Sequence, residues 1–165
     1  WRGYDTDLSG ASLFGAGQTG SEMIIIDAIS ESALPAIAKI EAELFGTPLS
    51  LPALKSLFDG PAFTGLVSFE NASLAGYLLA HLTQDQLEIL SLGTAWQYQR
   101  QGHASLLLSV LIRNARDTAC FLEVAVDNKS ARDLYRRNGF VEVGRRPTYY
   151  RRGRGSCDAV VMRRG

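Results

Sequence analysis

Hydrophobic and polar positions divide this chain into a weakly patterned start and a strongly patterned remainder. Residues 1–20 carry five glycines among Ser, Thr and Asp with few large apolar groups. Such a composition predicts an extension without a core of its own, expected to rest on the domain (residues 21–165) or on a neighbouring copy. Glu22–Ile29 is a β-branched run and predicts a first strand. Ser30 is placed to cap a helix whose stripe runs through Ala33, Ile37, Ile40 and Leu44. Gly46-Thr47-Pro48 breaks that stripe, and Ser50 opens a short second helix to Phe58. After the turn Asp59-Gly60-Pro61, three strands follow at Phe63–Glu70, Leu74–Leu82 and Leu87–Thr94, the first two joined by a hairpin link at Asn71-Ala72-Ser73. The remainder alternates: a long apolar helix at about 103–116, a strand at Ala119–Val126, a helix at about 130–138, a strand from Phe140, and a last strand at Ser156–Met162. Strands first in hairpins and then alternating with helices imply an α/β chain, a mixed sheet covered by helices on both faces.

Composition adds limits. The 165 residues suit one domain, with 46% hydrophobic and 21% charged residues, ordinary for a globular protein. The apolar stretch 104–112 is about half the ~20 residues that a membrane span requires, so no membrane association is expected. No basic-then-apolar export signal opens the chain. It starts at Trp1 rather than Met, so its first residues are expected to be missing. Cys120 and Cys157 lie in apolar contexts without metal-ligand spacing; they read as core residues in a reducing cytoplasm, and no metal is expected.

The net charge of zero hides an asymmetry: residues 1–98 hold 3 basic and 11 acidic side chains, and residues 99–165 hold 14 basic and 6 acidic. Anion binding in the C-terminal half and solvated arginines on helix faces explain this equally well.

The candidate chemistry falls in that half. Between the third hairpin strand and the long helix lies Gln99-Arg100-Gln101-Gly102-His103-Ala104-Ser105. A helix start offers unpaired N–H groups and about half a positive charge, and small residues there let an anion approach the backbone. Gly102 and Ala104 supply that room. In the strand Cys120–Val126, apolar on both faces otherwise, Glu123 costs desolvation energy unless hydrated, paired or used. A salt bridge to a neighbouring arginine and a chemical role are both open. Tyr135, on the helix that follows, reads either as core packing or as a hydroxyl at the rim of a site.

These segments resemble the GNAT superfamily of N-acetyltransferases, and its RimI type in particular. The match is carried by Tyr98-Gln99-Arg100-Gln101-Gly102 and by Leu122-Glu123-Val124, Asn128, Ala131, Leu134-Tyr135 and Asn138-Gly139-Phe140. Arg145-Arg146…Tyr149-Tyr150 and the strand Asp158–Met162 extend it. It is strong over about 88–162, thinner over 22–87, and absent before that.

The resemblance implies a mostly antiparallel sheet of six to seven strands and acetyl-CoA as co-substrate. Backbone of Leu92, Gly93 and Thr94 would contact the acetyl and pantetheine arm; the loop from Arg100 through Gln101, Gly102, His103, Ala104 and Ser105 would take the diphosphate; Asn128 would hydrogen-bond the cofactor or cap its helix. Glu123 is implied as base and Tyr135 as acid, while Tyr149 and Tyr150 would line the channel for a protein N-terminus, that of a small-subunit ribosomal protein. The arginines of that hairpin leave open contact with ribosomal RNA or mere solubility. A cytoplasmic monomer or weak dimer is expected. Where the family often has Pro-Trp-Ser before its second helix, this chain has Pro48-Leu49-Ser50. That departure points to a shifted acceptor preference or to a small-molecule amine or lysine as acceptor.

Overall fold

The computed structural model describes residues 14–19, 22–115, 118–152 and 155–165. Among the described residues, eight strands form one sheet: β1 (Phe14–Thr19), β2 (Glu22–Ala28), β3 (Phe63–Glu70), β4 (Ser73–Leu82), β5 (Gln86–Thr94), β6 (Ala119–Ala125), β7 (Val141–Arg152) and β8 (Gly155–Arg164). Their order across the sheet is β1-β2-β3-β4-β5-β6-β8-β7. The described neighbours run antiparallel except β5 and β6, which run parallel. Seven of these strands are those the sequence pattern predicts. The eighth, β1, comes from the segment expected to lack a core of its own and to rest on the domain or a neighbouring copy: it borrows the edge of β2, so it forms without an apolar stripe.

Period-two alternation sorts the central strands onto two faces. Leu66, Leu78 and Ala80 point to one side, where they meet Leu107, Leu108 and Leu111 of helix α3 (His103–Ala115) and Tyr135 of α4 (Lys129–Arg137). Val67, Tyr77 and Leu79 point to the other, onto Leu34, Ile37 and Ile40 of α1 (Leu34–Leu44) and Leu54 of α2 (Leu51–Phe58). Burying each such leucine or isoleucine contributes about 1.5–3 kcal/mol before entropy is charged against it. No described helix is long and apolar enough to cross a membrane.

Local chemistry mostly follows expectation. Ser50 Oγ accepts from the Ala53 N–H and caps α2. Ser30 does not cap α1: a 3₁₀ turn at Glu31–Ala33 intervenes, and Pro35 fits the first turn of the α-helix because an N–H there has no partner within the helix. Asn71 and Ala72, at φ 49° and 62°, make a two-residue hairpin of the left-handed kind that matches strand twist.

Two features of β5 position the site. Opposite Leu79 and Ala80 stand Ser91 and Ile89, so Leu90 is an extra, bulged residue. The parallel ladder to β6 runs from Gln86↔Ala119 to Ile89↔Leu122 and stops. Beyond it β5 continues to Thr94 beside β4, while β6 turns its remaining bonds to β8. The two strands thus diverge, and a gap opens in the sheet.

Candidate active site

Each diverging strand runs into a helix. β5 leads through a short 3₁₀ turn at Trp96–Tyr98 to α3, and β6 leads to α4. Two helix N-termini therefore stand at the ends of the strands that border the gap, each with unpaired N–H groups and positive dipole.

The loop before α3 is shaped by its backbone. Arg100 (φ 66°) and Gly102 (φ 95°) both adopt the left-handed region, and the Gly102 carbonyl accepts from the Leu106 N–H to begin the helix. Gln99 Nε2 donates to the Thr94 carbonyl at 3.2 Å, and Gln101 Nε2 donates to the Gln97 carbonyl at 2.9 Å. The side chain of Gln101 thus braces the loop itself. Arg100, Gly102 and Ser105 are exposed and Ala104 partly so. This leaves main chain and small side chains facing solvent at the helix start, the surface an anion requires.

His103 differs from its neighbours. Its ring is buried, with Nδ1 3.0 Å from Ser68 Oγ and Nε2 2.9 Å from Glu70 Oε2. Any part His103 plays toward a ligand falls to its backbone.

Leu92 and Thr94 are partly buried at the end of β5, and the Thr94 hydroxyl is buried without a hydrogen-bond partner. Gly93 has a second reason to be glycine. A β-carbon there would come within 2.7 Å of the Tyr77 ring, so the missing side chain makes room for a core tyrosine. That tyrosine belongs to a cluster the sequence pattern did not announce. The buried Glu41 carboxylate accepts from Tyr77 Oη at 2.5 Å, from Ser91 Oγ at 2.6 Å and from the Leu49 N–H at 3.0 Å. Burial, reinforced by the Glu41 charge, pushes the Tyr77 phenol well above its ordinary value.

On the far side of the gap, Glu123 follows the last residue of the parallel ladder. Its side chain is 16% exposed, and Arg146 Nε of β7 lies 2.8 Å from Oε1. The salt bridge foreseen as one outcome is present. Tyr135 is buried on α4, its ring edge-on to Phe140 at 5.8 Å. A capping turn fixes it: the Tyr135 carbonyl accepts from the Phe140 N–H, with Gly139 at φ 85°. Asn128 caps α4, its Oδ1 accepting from the Ala131 N–H at 3.1 Å. Arg132 ties the same helix to the Val126 carbonyl at 2.7 Å. Tyr149 and Tyr150 lie in β7, but their side chains lie outside the described residues. Burial raises the Cys120 thiol above its usual range, which disfavours a thiolate there. Among the described residues no group of three or more His, Cys, Asp or Glu side chains is placed to hold a metal.

The sequence reading thus missed Ser68, Glu70, Glu41 and Ser91. Each lies in an element that carries other polar residues, so no local signal set it apart.

Comparison with known proteins agrees with this geometry. The model of the acetyltransferase (GNAT) family matches residues 34–140. The N-alpha-acetyltransferase RimI of Mycobacterium tuberculosis is 31% identical over 150 residues, which cover 87% of this chain and 94% of that protein. The [ribosomal protein bS18]-alanine N-acetyltransferase of Haemophilus influenzae is 31% identical over 144 residues, covering 85% and 97%. The crystal structure of the ribosomal-protein-S18-alanine N-acetyltransferase from Escherichia coli superposes with a TM-score of 0.81 at 28% identity, over 86% of this chain and 93% of that one.

Proposed function

Because this chain belongs to the GNAT family of acetyl-CoA-dependent N-acetyltransferases, we propose that it acetylates a protein N-terminus, the terminal alanine of a small-subunit ribosomal protein. Relatives named for that reaction cover most of their own length with this chain. The observation that carries the reading is the gap between β5 and β6 with a helix start at each strand's end. In this reading the catalytic unit is residues 21–165, with β1 added at its edge, and the enzyme works in the cytoplasm where ribosomal proteins are made.

The residues present suit acetyl-CoA. The loop from Arg100 to Ser105, exposed at Arg100, Gly102 and Ser105, offers N–H groups to the diphosphate, and Leu92, Gly93 and Thr94 offer strand backbone to the pantetheine arm. Asn128 stands at the start of α4, beside the same gap. Bound there, acetyl-CoA supplies the acetyl group as a thioester. Glu123 then takes the proton that the amine must lose, a modest task because an α-amino group has a pKa of about 7.7–8. Tyr135 donates its phenolic proton to the sulfur as the carbon–sulfur bond breaks. Tyr149 and Tyr150 wall the peptide's path. Neither cysteine takes part.

Incubation with acetyl-CoA and a peptide carrying the ribosomal N-terminus, read by mass spectrometry, should show one acetyl group on the α-amine. A small amine or a lysine acetylated faster than any such peptide would move the acceptor assignment to that class. No product with any acceptor, while calorimetry records acetyl-CoA binding, would leave a binding module rather than this enzyme.

A further inference from the structure

The buried link between His103 and β3 lies outside the reaction just described, yet it anchors a residue of the loop assigned to the diphosphate. His103 is the first residue of α3 and follows Gly102. Its ring touches two polar side chains 35 and 33 residues earlier in the chain, Ser68 and Glu70, which are both buried. Two hydrogen bonds at opposite corners of a planar ring fix its position and its tilt. Tyr98, from the same loop, meets the ring edge-on at 5.8 Å. Gly76 on the neighbouring strand keeps the space open, since a β-carbon there would lie 2.9 Å from Ser68 Oγ.

We propose that His103, Ser68 and Glu70 form a buried brace that sets the diphosphate-binding amides in place on the sheet, making His103 and Glu70 positioning residues for acetyl-CoA affinity. The inference rests on the reading of the α3 loop as the diphosphate site and not on the identity of the acceptor. The described side-chain bonds of Gln99 and Gln101 tie the loop to main chain between Thr94 and the loop itself, whereas His103 ties it to β3 in the sheet's middle. The brace has an electrostatic side as well. Glu70 would place a bare buried carboxylate below an anion site were the imidazole not hydrogen-bonded to it, and an unpaired buried acceptor is costly in its own right.

The test compares two acetyl donors that share the thioester and the pantetheine arm and differ in the diphosphate: acetyl-CoA and S-acetyl-pantetheine. Three variants are measured, His103→Phe, Glu70→Gln and His103→Gln. Calorimetry gives donor affinity without any acceptor, and steady-state assays divide KM from kcat. His103→Phe should weaken acetyl-CoA binding about ten- to a hundredfold, the size of a lost hydrogen bond to a charged group. Its kcat should stay within about twofold, and its S-acetyl-pantetheine affinity should be unchanged. His103→Gln, whose amide can still reach Glu70, should recover most of the affinity, and Glu70→Gln should fall between. Should His103→Phe fail to fold, the other two variants carry the same comparison.

A fall in melting temperature with unaltered acetyl-CoA affinity would make the cluster a core contact and overturn the proposal. Equal weakening of both donors would overturn it too, by placing the effect away from the diphosphate. Absence of acetyl-CoA binding by the unmodified protein would instead remove the loop assignment itself. Failure of the ribosomal peptide as acceptor leaves the calorimetric comparison of the two donors untouched.

Discussion

Glu41 and Glu123 are both carboxylates with little exposure, and the structure treats them in opposite ways. Glu41 is 2% exposed, and its oxygens accept from a phenol, a hydroxyl and a main-chain N–H. Those donors are neutral and come from β4, β5 and the segment before α2, so the carboxylate stitches one helical layer to the sheet. Glu123 keeps 16% of its side chain at the surface, stands where β6 leaves β5, and faces a guanidinium that is itself 62% exposed. A carboxylate surrounded by buried neutral donors holds structure. One at the rim of a gap, against an exposed cation, is the position that the proposed base role requires.

Exchanging function for stability at the two positions gives the sharpest contrast. Glu123→Gln should lower kcat about 10²- to 10⁴-fold, the usual share of a general base, with the urea midpoint almost unchanged. Glu41→Gln should do the reverse. Losing hydrogen bonds to a charged acceptor costs about 1.5–3 kcal/mol, read as a lower urea midpoint at constant slope, while kcat of the folded enzyme stays within a few-fold. A stable Glu41→Gln protein that has lost its activity would invert the roles.

The Glu41 side can be sharpened further through pH. Burial raises the Tyr77 phenol in the folded state, and the neighbouring carboxylate adds to it. In the unfolded chain a tyrosine ionises near 10. The stability that Tyr77 contributes is therefore fully present below about pH 10 and is lost as pH climbs from there toward the folded value. Each pH unit in that window costs at most about 1.4 kcal/mol from this group. Urea midpoints at pH 8 and pH 10.5 should show the loss, and Tyr77→Phe should shrink the difference between them. An equal alkaline loss in that variant would assign the effect to other groups.

Much of this was readable from the residues alone, and the division has a physical basis. Strands and helices follow from local periodicity, so Phe63–Glu70, Ser50 as a cap and the Gly102 loop could be placed without a fold. Long-range polar contacts have no local signature. Glu41 meets Tyr77 across 36 residues, and His103 meets Glu70 across 33. Nothing in the order of residues announces either meeting. Gly93 illustrates the same limit from the other side. Close approach at that position was foreseeable, but not that the approaching group is a core tyrosine. Strand β1 was missed because an edge partner, not an apolar pattern, makes it a strand.

The smallest expected effect bears on how far Glu123 depends on Arg146. Arg146→Ala removes the guanidinium 2.8 Å from it. Exposed ion pairs contribute about 0–1 kcal/mol, since water screens the charges and ordering the long side chain costs entropy. The urea midpoint should therefore move by less than about 1 kcal/mol, and raising the salt concentration should narrow even that difference. Breaking a buried pair instead costs about 3–5 kcal/mol, because the surviving charge is stranded away from water. A loss of that size, insensitive to salt, would mean that Glu123 depends on Arg146 as Glu41 depends on Tyr77. The distinction between a structural and a working carboxylate would then disappear. A loss near zero would agree with the proposed base role, in which Glu123 exchanges Arg146 for an incoming amine.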